Sequence, residues 1–347
     1  MSNADLANLS DKLMLTTVVM YIIALVAYAA DMGFGRRGAA TAAEARASVQ
    51  EKAEAKILVG PGGATDADGT DATEATEAAA TAAGEDDADR PQVDWARLAI
   101  FLSVLGVGAH LGVLVSRGLS ASRWPWGNMY EFLTAISFAA VTAFMVVMFR
   151  YRARFLGVPV MFAAVIALGV ANIWLYDSVG PVTPALNSYW IAIHVSAAII
   201  ATGAFTVAGA ATILYFLKSR EEARASAGTG VATGVKVPGG VLARVPSAES
   251  LDRLAMRVTM FAFPIWTAAI IMGAIWADQA WGRYWGWDPK EIWSFVTWII
   301  YAAYLHARST AGWKGRKAAF LSLLAFAALL FNFFGVNYMF SGLHSYA

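Results

Sequence analysis

The sequence predicts an all-α protein that crosses a membrane about eight times, with both termini on the extracytoplasmic side. Of its 347 residues 58% are hydrophobic and only 15% are charged, which is too apolar for a soluble chain of this length. Eight stretches are long and apolar enough to cross a bilayer as helices. They lie at roughly residues 13–32, 97–116, 129–149, 155–177, 189–217, 257–276, 291–309 and 317–338.

The positions of lysine and arginine set the orientation, because basic residues accumulate in cytoplasmic loops. If the first loop is cytoplasmic, most of the 26 basic residues lie on the inner side. An even number of spans then places both termini outside, together with the segment between the sixth and seventh spans. The basic residues left on the outer side are Lys12, Arg117, Arg123, Arg283 and Lys290.

The chain divides into three parts. Residues 1–35 hold the first span, which is not a cleavable signal peptide, because no basic region precedes it and no convincing cleavage site follows. Residues 36–96 are rich in alanine and acidic residues and predict a disordered cytoplasmic linker. Residues 97–347 form a membrane core of seven helices. A net charge of +1 argues against a nucleic-acid partner, and zero cysteines exclude thiol chemistry by this chain.

The stretch WGRYWGWDPKEIW, at residues 281–293, carries four tryptophans among glycines and charged residues. An aromatic belt at a membrane interface accounts for one or two of them. The DPKE run predicts a helix start, with Asp288 as N-cap, proline at the first helical position and Glu291 three residues after the cap. Capping is therefore the main predicted role of Asp288. It leaves three tryptophans unexplained, and they predict a large ligand: Trp281, Trp285 and Trp287.

All four histidines lie in or beside predicted spans, where ionisable groups usually mark a pathway, a ligand or a relay. His194 and His344 fall at the same outer level as the tryptophan stretch, whereas His110 lies midway along the second span. His306 lies near the inner end of the seventh. The alternative for each is an imidazole satisfied by neighbouring helices, or, for His306, one that reaches the interface beside Arg308.

The outer histidines and the tryptophan stretch together predict a haem site. Neutral imidazoles are the usual axial ligands of haem iron, so we predict that His194 and His344 bind the iron. A porphyrin also needs aromatic faces, close backbone approach and cations for its propionates. The faces would come from Trp281, Trp285 and Trp287, and the close approach from Gly286. Arg283 and Lys290 are the cations, and Arg283 is assigned as the propionate contact.

The sequence WGRYWGWDPKEIWSFVTW, residues 281–298, resembles the WWD signature of haem-handling proteins, and we assign the external WWD segment to residues 276–293. With the two outer histidines it is similar to the CcsA/ResC family of System II cytochrome c biogenesis, also named CcsB in actinobacteria. Further similar segments occur in the same order, so the resemblance covers most of the chain from the second span onward. They are LVSRGLSASRWPWGNMYEFL, TPALNSYWIAIHVS, YLHARS and FFGVNYMFSGLHSYA.

The resemblance implies that residues 97–347 deliver haem b, bound as a substrate and not permanently held, to the outer face. The haem is then attached to apocytochrome c at a CXXCH motif, which makes the chain part of a cytochrome c synthase, or haem lyase, complex. A ResB-like membrane partner and the bacterial plasma membrane are implied, or the thylakoid membrane for a plastid-encoded chain. His306 is similar to a histidine within the membrane where haem enters, whereas His110 has no certain counterpart.

Two other functions stay open on the residues alone. A b-type electron-transfer cytochrome would also place histidines in spans, but such proteins typically pair helices that carry two histidines each, and every span here carries at most one. A multispan transporter of small solutes would need charged residues near the bilayer centre. Apart from His110 and a few asparagines, these spans have none.

Overall fold

A computed structural model of the chain describes residues 1–34, 93–180, 182, 186, 188–226 and 241–344. These residues form helices and no strands, which confirms the all-α prediction. The linker predicted at residues 36–96 lies outside the described residues except for its last four, of which Trp95 and Ala96 already belong to a helix. The long helices are α1 (Asn3–Phe34), α2 (Trp95–Ala121), α3 (Met129–Tyr151), α4 (Gly157–Trp174), α5 (Tyr189–Ser226), α6 (Ala248–Trp281), α7 (Pro289–Ser309) and α8 (Arg316–Leu330).

Several shorter elements complete the fold. Two 3-10 helices, Arg154–Leu156 and Val241–Arg244, precede α4 and α6. Helix α8 continues through a π-helical turn, Phe331–Gly335, into the short helix α9, Val336–Met339. A π-helical turn shifts the side chains that follow it around the helix axis, and such turns are frequent at functional sites.

Seven of the described helices are long and apolar enough to cross a membrane, namely α1 to α6 and the rod formed by α8 and α9. The chain is therefore a polytopic membrane protein, as predicted. The predicted eighth span, α7, is not among them. Its 21 residues, about 32 Å, are long enough, but charged residues at both ends lower its mean hydropathy. The shared side of the two termini depends on counting α7 and stays a prediction.

The core is built around α5, which packs against α3, α6 and α8. Helix α1 lies along α2 and α4, and α7 lies against α6 and α8. Small residues allow the close approach of α3 and α5: a Cβ on Gly203 would lie 2.6 Å from the carbonyl carbon of Ala139. This packing fixes α5 and α6 side by side, and His194 is held between them.

Candidate functional site

The tryptophan loop, residues 282–288, joins α6 to α7. Gly282 ends α6 in the left-handed conformation, with φ at 69°, and α7 begins with the predicted capping box. The Glu291 carboxylate accepts hydrogen bonds from the backbone N–H groups of Gly286 (2.8 Å) and Asp288 (3.1 Å). Between these two anchors Trp287 adopts a left-handed φ of 60°, which is costly for a tryptophan. Glu291 thus fixes the loop onto the first turn of α7.

Asp288 also holds the segment that follows α9. Its two carboxylate oxygens accept the backbone N–H of Leu343 (2.7 Å) and contact Nδ1 of His344 (2.8 Å). Gly342 lies so close that a Cβ there would overlap the carboxylate. Asp288 is therefore both the cap of α7 and the anchor of the tail residues 342–344.

The pKa of Asp288 is lowered from its ordinary value. Burial of the carboxylate raises the pKa, but the hydrogen bonds from His344 and from the backbone N–H groups of Leu343 and Lys290 together outweigh it. A lowered folded-state pKa means that this contribution to stability is present above pH 3.8 and is lost as the pH falls through the lowered pKa. At neutral pH the carboxylate is ionised and the tail is held.

His194 projects from α5 onto α6. Its Nδ1 lies 2.7 Å from the carbonyl oxygen of Ala269. One turn further along α6, a Cβ on Gly273 would lie 2.7 Å from the imidazole ring, so glycine at this position lets the ring approach α6. If Nδ1 donates to the carbonyl, the lone pair that can bind a metal lies on Nε2.

Trp276 contacts both His194 and His344. Its ring is parallel to the His194 ring (centroids 6.2 Å apart, 7° between planes) and contacts the His344 ring at 5.7 Å. Trp281 packs on His344 at 4.9 Å and on Trp276 at 4.6 Å. The structure thus brings His194 and His344 together, although they lie on different elements. Sequence reasoning assigned no role to Trp276, which is buried inside α6.

Both histidines line one cavity of about 150 Å³. Of the three tryptophans predicted as a platform, Trp285 lines it, Trp281 lies behind His344, and Trp287 is 67% exposed. Arg283 does not line the cavity, because its guanidinium lies where a Cβ of Gly286 would be. Lys290, which the sequence predicts as a cation for the propionates, does line it. Sequence reasoning gave no role in the site to five further polar residues of the lining, Asn128, Glu291, Ser294, Asn332 and Asn337.

A second tryptophan loop, residues 122–128, forms another wall of the cavity. Trp126 lines the cavity and stacks on Trp124 at 5.8 Å. Glu131 anchors this loop by accepting hydrogen bonds from Arg117 (2.9 Å), Arg123 (2.7 Å) and the backbone N–H of Gly127 (2.6 Å). Sequence reasoning missed this wall. Its signal was a tryptophan pair, a helix cap and a glutamate three residues later, the same order as in residues 285–291.

The other two histidines lie apart from the cavity. His306 is exposed on α7, about 22 Å along the helix from Glu291. His110 is buried in α2, where its Nδ1 lies 3.2 Å from the Tyr21 hydroxyl and its ring packs edge-on against Phe138. The structure brings neither of them to the outer pair, nor to each other.

A comparison with known proteins identifies the relatives of this chain. The sequence profile of the cytochrome c assembly protein family matches residues 126–344, from the tryptophan of the second loop to the histidine of the tail. The chain belongs to the cytochrome c assembly protein family. The resemblance inferred from the WWD signature is therefore confirmed.

Relatives of this cytochrome c assembly protein include "Cytochrome c biogenesis protein CcsA" of Gloeobacter violaceus, 34% identical over 293 residues that cover 71% of this chain and 87% of the relative. The protein of the same name from Porphyra purpurea is 31% identical over 277 residues, covering 72% and 87%. The solved structure of "Cytochrome c Heme Lyase CcmF" superposes with a TM-score of 0.57 at 15% identity, over 96% of this chain and 47% of that protein. This likeness shows a shared fold.

The donor set of this assembly protein fits haem. Two imidazoles face one cavity, each anchored at Nδ1 so that iron would bind at Nε2. Two buried polar atoms of the lining, Trp126 Nε1 and Asn332 Oδ1, have no hydrogen-bond partner within the described part of the chain, so a polar ligand could satisfy them. The volume is below the roughly 300–1,000 Å³ typical of small-molecule sites, so a porphyrin requires a wall to move outward.

Proposed function

We propose that this chain is the haem-handling subunit of a System II cytochrome c synthase in the bacterial plasma membrane. It binds haem between His194 and His344 and presents it to the CXXCH motif of apocytochrome c. One observation carries the proposal. Both histidines line the same cavity and contact Trp276, and each has its Nδ1 bonded to the protein. Two imidazoles held in this way are a ligand pair for haem iron.

The two histidines have different freedom. His194 is fixed in α5 and bonded to the α6 backbone, whereas His344 lies on the tail that follows α9 and is held through Asp288. A carboxylate bonded to Nδ1 orients an imidazole and raises its basicity toward a metal. We therefore infer that the tail moves to admit haem, and that Asp288 returns His344 to the iron when the site closes.

The remaining lining residues position the haem and exclude water. The aromatic walls formed by Trp126, Trp276 and Trp285 cover an apolar macrocycle. Lys290 lines the cavity and is the candidate for a propionate, whereas Arg283 lies over Gly286 and would reach a propionate only if loop 282–288 moved. Bound haem supplies the vinyl groups to which the two cysteine thiols of the apocytochrome add. This chain has no cysteine and contributes none of the thiols.

A ResB-like partner would meet the outward face of α7. Ile292, Phe295, Ile299 and His306 recur at helical spacing and are all exposed. In a bilayer this stripe faces lipid or a neighbouring helix. We propose that His306 is a transient ligand for entering haem, with a histidine of the partner protein as the second axial group, because His110 is buried between α1 and α3 and does not reach it.

The proposal is tested by purifying the His194→Ala and His344→Ala variants with their partner protein. We expect each variant to insert into the membrane, to lose the low-spin absorption spectrum of bis-imidazole haem, and to abolish cytochrome c maturation. Added imidazole should restore part of the spectrum by replacing the missing ligand. Trp174→Ala, on the exposed membrane face of α4, is the control and should behave as wild type.

The spectrum also separates this function from the b-type cytochrome. Haem that apocytochrome removes from the wild-type protein supports a synthase, whereas haem that stays bound through redox cycles supports electron transfer. Wild-type haem content and maturation in both alanine variants would refute the axial pair.

A further inference from the structure

A long groove opens on the side of the bundle between α2, α3, α5 and α6. Its volume is about 1270 Å³, far larger than that of the histidine cavity. Val115, Val146, Ile200 and Phe261 are exposed, apolar and part of its lining, so the groove faces the lipid. One end reaches the tryptophan loop at residues 122–128, and the other reaches the last turn of α3.

Two arginines converge at the second end. Arg150, near the end of α3, and Arg257, on α6, place their guanidinium carbons 5.3 and 5.8 Å from the ring centroid of Tyr151. Both line the groove. Neither has a carboxylate within ion-pair distance among residues 1–34, 93–180, 188–226 and 241–344. The mouth of an apolar groove therefore carries two positive charges that no described acidic residue balances.

These arginines lie on the opposite membrane face from the histidine cavity. Asn128 caps α3 beside the cavity, and the 22 residues from it to Arg150 span about 33 Å along the helix. That length matches the hydrocarbon core of a bilayer, roughly 30 Å thick. The guanidinium groups consequently stand at the level of lipid headgroups.

We propose that this groove binds an anionic phospholipid, with its phosphate between Arg150 and Arg257 and an acyl chain along Val146 and Phe261. Guanidinium groups match the geometry of phosphate oxygens, and basic pockets between membrane helices bind anionic headgroups. Haem has apolar and anionic parts as well. The groove lining contains no histidine, however, so haem iron would find no imidazole ligand there.

The test measures lipid retained by the purified full-length protein. Protein reconstituted in vesicles of equal phosphatidylglycerol and phosphatidylcholine is re-extracted in detergent, and its bound lipid is identified by native mass spectrometry. We expect retained phosphatidylglycerol in the wild type. The preference for it should fall by about 25-fold in the Arg150→Gln/Arg257→Gln variant, because each of the two basic residues near the surface contributes a factor of about five. Arg220→Gln, on α5 and outside the groove, is the matched control.

A second variant tests the apolar part. Val146→Trp adds bulk at an exposed lining position and leaves both arginines in place, so it should expel the lipid while circular dichroism and elution volume stay unchanged. Equal amounts of retained phosphatidylglycerol in the wild type and both variants would overturn the proposal. So would variants that lose bound haem but keep their phosphatidylglycerol. Haem content is measured on the same samples, so that failure of the haem site is recorded separately.

Discussion

The two tryptophan loops that line the histidine cavity are alike in sequence and differ in what holds them. Loops 122–128 and 282–288 both contribute to the cavity lining, and each precedes a helix with glutamate three residues after its cap. Glu131 accepts hydrogen bonds from two arginine side chains as well as from the backbone N–H of Gly127, whereas the bonds described for Glu291 come from backbone N–H groups. The first loop is held by buried charge and the second by amides and by Asp288.

This difference separates a fixed wall from a movable one. Removing one partner of a buried ion pair costs about 3–5 kcal/mol, whereas a single hydrogen bond to a charged group contributes about 1.5–3 kcal/mol. The cavity is smaller than haem requires, so the proposed binding of haem implies that one wall opens. Because loop 282–288 and the tail are held more weakly, we infer that they move to open the cavity and that loop 122–128 stays in place.

The largest effect is expected from Glu131→Gln. The change leaves Arg117, whose side chain is 3% exposed, and Arg123 without a charged partner, at a cost of about 3–5 kcal/mol. We expect a much lower melting temperature in detergent. Glu249→Gln removes a carboxylate from an exposed pair with Arg253 and should change stability by less than about 1 kcal/mol. Equal melting temperatures for both variants would show that the first loop is not locked.

Asp288→Asn should weaken haem binding and leave the fold intact. Asparagine caps a helix as well as aspartate does, so α7 is kept. The charge that orients His344 is lost, and such changes typically lower metal affinity about 10–100-fold. The measurement is the haem dissociation rate. Asp94→Asn, at the N-cap of α2, is the matched control, and an equal dissociation rate in both variants would rule out tail anchoring.

Glu291→Gln should loosen loop 282–288 by about 1–2 kcal/mol, because glutamine can accept hydrogen bonds but carries no charge. We expect faster hydrogen exchange at the amides of Gly286 and Asp288, and little change in loop 122–128. Unchanged exchange at these amides would mean that Glu291 does not restrain the loop.

The smallest effect concerns pH. Because the pKa of Asp288 is lowered, its bonds to the tail persist above pH 3.8 and weaken only in stronger acid. The ratio of haem affinities of wild type and Asp288→Asn should therefore stay constant from neutral pH down to about pH 4 and fall below that. Titration of haem binding for both proteins gives this ratio, and a change between pH 5 and 7 would point to another group.

The sequence by itself determined the membrane class, most helices, the start of α7 and the pairing of the outer histidines with the tryptophan stretch. These follow from local properties: the length of apolar runs, the DPKE cap and the chemistry of imidazole. Helix α7 is less apolar than the other predicted spans, because its apolar interior, residues 292–305, is flanked by Lys290, Glu291, His306 and Arg308.

Only the tertiary structure decided which side chains face the cavity. Trp126 and Trp276 come from distant parts of the chain and meet His194 through the packing of α3, α5 and α6. Lys290 lines the cavity and Arg283 does not, because the backbone at Gly282 and Trp287 directs the loop. Side-chain direction depends on dihedral angles and on contacts between helices, and neither can be read from the spacing of residues in one segment.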